Sequence, residues 1–128
     1  MPTKEKKQSC GLIAKKWGPC FWMHMHMVAA GFPLTKVRSR RAAYMRYYRD
    51  IGQILPCAKC REHYQELITQ AKNTGEFKNA FHDRAALQRF IFIVHNRINR
   101  RLNKPTAKED MIARYSVDAI ETKFRAKC

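Results

Sequence analysis

Residues 83–105, DRAALQRFIFIVHNRINRRLNKP, decide the fold. Their apolar members Leu87, Phe90, Ile91, Val94, Ile98 and Leu102 recur at steps of three and four over about five turns, the period of one buried helical face. Asp83 stands just ahead of the series, where a helix start favours an acceptor side chain, and Asn103-Lys104-Pro105 stops it. A helix this apolar on one side needs other helices to cover it.

Working outward, the same period recurs. Asn73-Thr74-Gly75 breaks the chain upstream. Before it, Cys57, Cys60, Tyr64, Leu67 and Ile68 mark a helix opened by Pro56. Tyr44, Tyr47, Tyr48, Ile51 and Leu55 mark another, over about Ser39 to Ile54. Trp22, Met25, His26 and Ala29 define a first helix from about Cys20 to Ala30, with Gly18-Pro19 at its start and Gly31-Phe32-Pro33 at its end. Downstream, Met111, Ile112, Tyr115, Ala119 and Ile120 suggest a short last helix. No repeat and no alternating strand pattern interrupts this series. The expected fold is therefore all-α, a four-helix bundle with a short fifth helix. Residues 1–14 read as a mobile basic arm, 15–122 as one domain, and 123–128 as a tail ending in Cys128.

At 128 residues the chain supports one modest core, which argues against a two-domain enzyme or a Rossmann-sized cofactor domain. No apolar run approaches the roughly 20 residues that cross a bilayer, and the polar start lacks a secretory pattern. The expectation is a soluble basic domain with no membrane partner. Charge is the outlier: 26 Lys and Arg against 10 Asp and Glu leave +16.

Five cysteines, Cys10, Cys20, Cys57, Cys60 and Cys128, make an odd count that does not read as a closed disulfide framework. Pro56-Cys57-Ala58-Lys59-Cys60 places two thiols on one side of a helix's first turn, close enough to join with little backbone movement. The free N–H groups and positive end of the helix favour a thiolate, and Lys59 and Arg61 add positive charge. The other reading is half a zinc site with His63. Structural zinc wants four ligands, and no second Cys-x-x-Cys or His-x-x-x-His follows, so spacing favours redox chemistry and no metal. Cys20 is expected to pack rather than react.

Trp22 and His26 lie four apart on the first helix, as do His95 and Asn99 on the fourth. Polar groups in an apolar stripe need partners when buried, and bonding to backbone or to each other would satisfy that need. An aromatic platform, amides and imidazoles beside Arg100, Arg101 and Lys104 also suit a planar heterocycle joined to a pyrophosphate. Met23, Met25 and Met27 read as core or interface filler.

Taken in order, Gly18-x-x-x-Trp22-x-x-x-His26, Leu55-Pro56-Cys57-Ala58-Lys59-Cys60 and His95-Asn96-x-Ile98-Asn99-x-x-Leu102-x-Lys104-Pro105 resemble the Erv/ALR family of FAD-dependent sulfhydryl oxidases over about residues 17–116. The resemblance implies a helical bundle that binds FAD at one mouth, usually as a homodimer. It implies catalytic Cys57 and Cys60, with Cys60 against the isoalloxazine and Cys57 exchanging with the incoming thiol. It places Gly18, Trp22, His26, His95, Asn96, Ile98, Asn99, Lys104 and Tyr115 at FAD-contacting positions. Reduced protein thiols or a thioredoxin-like dithiol protein would be the partners and O2 the acceptor, yielding hydrogen peroxide. Cys128 and Cys10 are the candidate shuttle cysteines.

Mitochondrial and animal members carry a further disulfide near the His-Asn motif. Here Phe92 occupies the first region and no cysteine lies between Pro105 and Lys127. That resembles the short viral members and favours host cytoplasm or virion over the mitochondrial intermembrane space. The rival is a basic helical nucleic-acid-binding or virion-packaging protein with a metal site at Cys57, Cys60 and His63. The chain has no helix-turn-helix or zinc-finger spacing, so nucleic acid is expected only through non-specific attraction to the charge.

Overall fold

The computed structural model describes residues 11–35, 38–102 and 114–127. Among them the elements are helical throughout: α1 (Ala14–Ala30), α2 (Arg38–Asp50) running into a 3-10 turn (Ile51–Gln53), α3 (Ala58–Thr74), α4 (Glu76–Ala80), α5 (Arg84–Arg101) and α6 (Val117–Phe124). The expected four-helix bundle is α1, α2, α3 and α5, with α6 as the short fifth helix.

Helix α5 forms as its pattern requires. Asp83 is the N-cap, its carboxylate accepting the Ala86 N–H at 2.7 Å. Leu87, Phe90, Ile91 and Val94 are buried. Each such side chain contributes about 1.5–3 kcal/mol through removal from water. Its principal partner is α1, and α6 lies against both. Phe77 meets Phe81 and Phe90 edge-on, the geometry that aromatic quadrupoles favour, and Phe81 lies tilted against Phe32 and Tyr48.

The C-terminal end of α1 has no basic residue of its own, and side chains from elsewhere satisfy its outgoing carbonyls. Arg125 donates to the Ala30 carbonyl at 2.6 Å, Tyr44 to Gly31 at 3.0 Å and Arg84 to Phe32 at 2.7 Å. These are acceptors a helix end would otherwise leave open. The tail, α2 and α5 are thus all tied to the end of α1.

Four boundaries differ from expectation. Helix α1 begins at Ala14, not near Cys20, so Gly18 and Pro19 lie inside it. Pro19 removes the N–H that would bond to Lys15, but both residues are exposed, so the loss is not buried. Gly11–Ile13, read as part of a loose arm, are instead held: the Leu12 N–H donates to the Pro56 carbonyl at 2.6 Å. Helix α4 had no periodic signal because it is only five residues long. Gly75, at φ 81°, ends α3 and turns the chain straight into it, burying Phe77 and Ala80. Tyr115 precedes the last helix, which Ser116 caps through the Ala119 N–H. Met111 and Ile112 lie outside the described residues.

Candidate functional site

The Cys-x-x-Cys segment is shaped by the proline before it. The Cys57 N–H turns back to the Leu55 carbonyl at 2.8 Å, a three-residue turn about Pro56. Cys57 keeps extended backbone (φ −155°, ψ 125°) and is therefore the N-cap of α3, not a member of its first turn. Its sulfur accepts the Cys60 N–H at 3.4 Å, filling the place an oxygen acceptor usually takes. Cys57 and Cys60 are both half-buried. Arg61 donates to the Leu55 carbonyl at 2.5 Å, which fixes a cation behind the turn. Cys20, expected to pack, is exposed, because at helical spacing it falls on the side of α1 away from Met25, His26 and Ala29.

The second part of the site joins α1 to α5. Trp22 and His95 stack with ring centroids 3.8 Å apart and planes 9° from parallel. His26 Nε2 and His95 Nδ1 are 3.0 Å apart, so one of the two nitrogens carries the proton and the other accepts it. Tyr115 lies 5.3 Å from the His26 ring, stacked, and 4.8 Å from His95, edge-on. Its hydroxyl donates to the Pro19 carbonyl at 3.5 Å. Burial pushes His26 down to about 4, which makes it neutral at pH 7.

Asn99 is buried beside this cluster, and Ile98 is half-buried against the core. The Asn96 side-chain oxygen is buried without a hydrogen-bond partner. Beside Gly18 the helix surface is open, with no atom within 4 Å of where a Cβ would stand. Lys104, Cys10 and Cys128 lie outside the described residues.

Residues that sequence reasoning passed over also take part. Phe92, noted only as the place of a missing cysteine, meets His26 edge-on at 6.5 Å. Trp17 donates its indole N–H to the Leu12 carbonyl at 3.0 Å. An indole near a surface usually finds such an acceptor, which was the available signal. The Tyr47 hydroxyl is buried with no partner, and burial pushes it up to about 12. A cleft of about 370 Å³ lined by Arg41, Lys78, His82 and Arg89 contains none of these residues. Chemistry-bearing groups converge at the aromatic cluster, so the cleft is set apart from the site. Among the described residues no three His, Cys, Asp or Glu side chains converge as metal ligands. The rival metal site at Cys57, Cys60 and His63 therefore lacks geometric support.

An all-helical bundle with a dithiol heading one helix and stacked aromatic and imidazole rings between two others defines a narrow class. The chain belongs to the Erv1/Alr family, whose model matches residues 19–120. It is 35% identical over 104 residues to protein 096R of invertebrate iridescent virus 3, which carries a provisional FAD-linked sulfhydryl oxidase name; the match covers 80% of this chain and 68% of that one. It is 29% identical over 106 residues to the FAD-linked sulfhydryl oxidase ERV1 of rice, covering 80% of this chain and half of that one. The crystal structure of the FAD binding domain of Erv1 from Saccharomyces cerevisiae shares the fold, with a TM-score of 0.68 and 22% identity over 84% of this chain and 97% of that one.

Proposed function

We infer that this chain is an FAD-linked sulfhydryl oxidase that forms disulfides in protein substrates through Cys57 and Cys60. One observation carries the reading: Cys60, at the head of α3, and Trp22, in the stacked cluster, pack against the same buried core. Thiol and ring-binding residues thus share one rigid support.

The residues suit FAD. Trp22, His95 and Tyr115 offer faces and edges to a planar ring, and the unpartnered Asn96 oxygen is an acceptor for a ring amino group. Trp22, His26, His95, Asn96, Ile98, Asn99 and Tyr115 would hold it, with Gly18 leaving space; Lys104 is a further candidate from the sequence motif alone. Neutral His26 keeps the buried side of that cluster free of charge. When bound, FAD takes two electrons from a dithiol and passes them to O2 as hydrogen peroxide.

The chain's own chemistry is thiol exchange. A substrate thiolate attacks the Cys57 sulfur of the Cys57–Cys60 disulfide and Cys60 leaves as thiolate. The second substrate thiol then attacks the mixed disulfide, leaving the substrate oxidised and Cys57 released. Arg61 and the head of α3 stabilise negative charge on sulfur at that end.

The partners in this reading are reduced protein thiols, with a thioredoxin-like dithiol protein as the fitting kind, and the enzyme works as a homodimer. No helix among the described residues is long and apolar enough to cross a membrane. The viral relative favours host cytoplasm or virion over the mitochondrial intermembrane space. Cys128 and Cys10 are the candidate relay cysteines. The test is Cys60→Ser in the full chain, which is expected to keep yellow flavin and lose oxidase activity. Oxidation of dithiothreitol at the parent rate would rule Cys60 out, and a chain that stays colourless after mixing with FAD would end the flavin reading.

A further inference from the structure

Arg41, Lys78, His82 and Arg89 line the cleft of about 370 Å³ that stands apart from the ring cluster. Ala86 in its wall lies about 14 Å along α5 from His95. Four segments build it. Arg38 and Arg41 are three apart on α2, and Ala86 and Arg89 three apart on α5, so each pair shares a helical face. Lys78 comes from α4, and the loop after α1 closes one side. A second hollow of about 320 Å³ shares Arg41, His82 and Asp83 with the first and adds Arg38, so the two make one elongated trough. The loop wall is held in place: Arg84 donates to the Phe32 carbonyl at 2.7 Å and Tyr44 to the Gly31 carbonyl at 3.0 Å.

The trough's charge is uncompensated. Ion pairs among the described residues take up Arg49, Arg97, Arg101 and Arg125, and none takes up Arg38, Arg41, Lys78 or Arg89. Asp83, the carboxylate in the wall, already accepts the Ala86 N–H at 2.7 Å as the N-cap of α5. Like charges gathered on fixed elements repel one another, and an anion between them relieves that repulsion.

We propose that this trough binds a polyphosphate anion, a short chain of phosphates. Three of its cations, Arg38, Arg41 and Arg89, are guanidinium forks, which match phosphate oxygens two at a time. Each phosphate offers more charge and more acceptor oxygens than a carboxylate. An elongated trough suits a chain of them better than a single ion, and its walls are set before the ligand arrives, which lowers the cost of binding. The site is separate from Cys57 and Cys60 and does not rest on their chemistry.

Isothermal titration calorimetry of the flavin-loaded full chain with inorganic tripolyphosphate tests this. Salt at about 0.15 M screens the diffuse field of the chain, and the flavin keeps the probe out of the cofactor site. One saturable site per chain is expected. Arg41→Gln and Arg89→Gln should each weaken it about tenfold or more, the worth of one hydrogen bond between charged groups. Lys15→Gln removes the same charge at the other end of α1, about 22 Å from Ala30, and should bind as the parent does. A hexaglutamate peptide should bind about tenfold more weakly than tripolyphosphate.

Titration without a saturable site overturns the proposal. Equal weakening by Lys15→Gln and Arg41→Gln also overturns it, since attraction to net charge alone would give that result. Hexaglutamate binding as tightly as tripolyphosphate overturns the assignment to phosphate. Arg41 and Arg89 are both exposed, so their variants should melt as the parent does; if one fails to fold, parental affinity in the other overturns the proposal by itself.

Discussion

Acidification should unfold this protein through His26, and the amount follows from its burial. The unfolded side chain takes a proton near pH 6.5, whereas burial holds it back to about 4 in the fold. Between those values the unfolded state binds more protons, so stability rises with pH and is lost as pH falls. The interval of about 2.5 units, at 1.36 kcal/mol each, sets a full loss of about 3 kcal/mol by pH 4, of which about 2 kcal/mol has gone at pH 5. Urea unfolding of the full chain at pH 7.5, 6.0 and 5.0, followed by tryptophan fluorescence, reads this directly. His26→Gln is the comparator, since glutamine keeps a polar group near His95 and does not titrate. The parent should lose about 2 kcal/mol more than His26→Gln between pH 7.5 and 5.0, a midpoint difference of about 1 M urea. Parallel pH profiles for the two proteins would refute the assignment of a buried neutral imidazole.

Other substitutions test other links. Trp22→Ala removes the face stacked on His95 at 3.8 Å and should weaken FAD binding about tenfold or more, the worth of one ring stack; flavin titration by fluorescence with unchanged affinity would contradict it. Tyr48→Phe deletes the hydroxyl that donates to the Met25 carbonyl at 2.7 Å, and should cost about 1 kcal/mol and a few degrees of melting temperature. Gly52→Ala drives a methyl to 2.7 Å from the Tyr64 ring, whose hydroxyl is already fixed on the Tyr48 carbonyl. It should destabilise by about 1–3 kcal/mol in the same urea assay, and a neutral result would mean that the α3 ring can swing away.

Much of this could be read from the chain because the core is periodic. Leu87, Phe90, Ile91 and Val94 announce α5, and Gly75 announces the end of α3, since burial and positive φ leave marks on residue choice. The aromatic and histidine members of the site were legible for the same reason: each breaks or decorates an apolar stripe. What escaped was geometry that depends on backbone meeting backbone. Nothing in the letters Gly11 and Leu12 says that they reach Pro56, and a five-residue helix such as α4 is too short to show a period. Pro19 misled because a proline reads as a beginning, while the real start at Ala14 has no capping side chain to mark it. Cys57 as an N-cap was hidden for a related reason, sulfur being a rare substitute for a hydroxyl or carboxylate there.

The ring cluster joins Trp22 and His26 of α1 to Tyr115, which stands just before α6. During translation the cluster stays incomplete until Tyr115 has been added, long after Trp22 and His26. Any molecule captured there then weighs only on the completed fold and shifts the folding equilibrium by mass action.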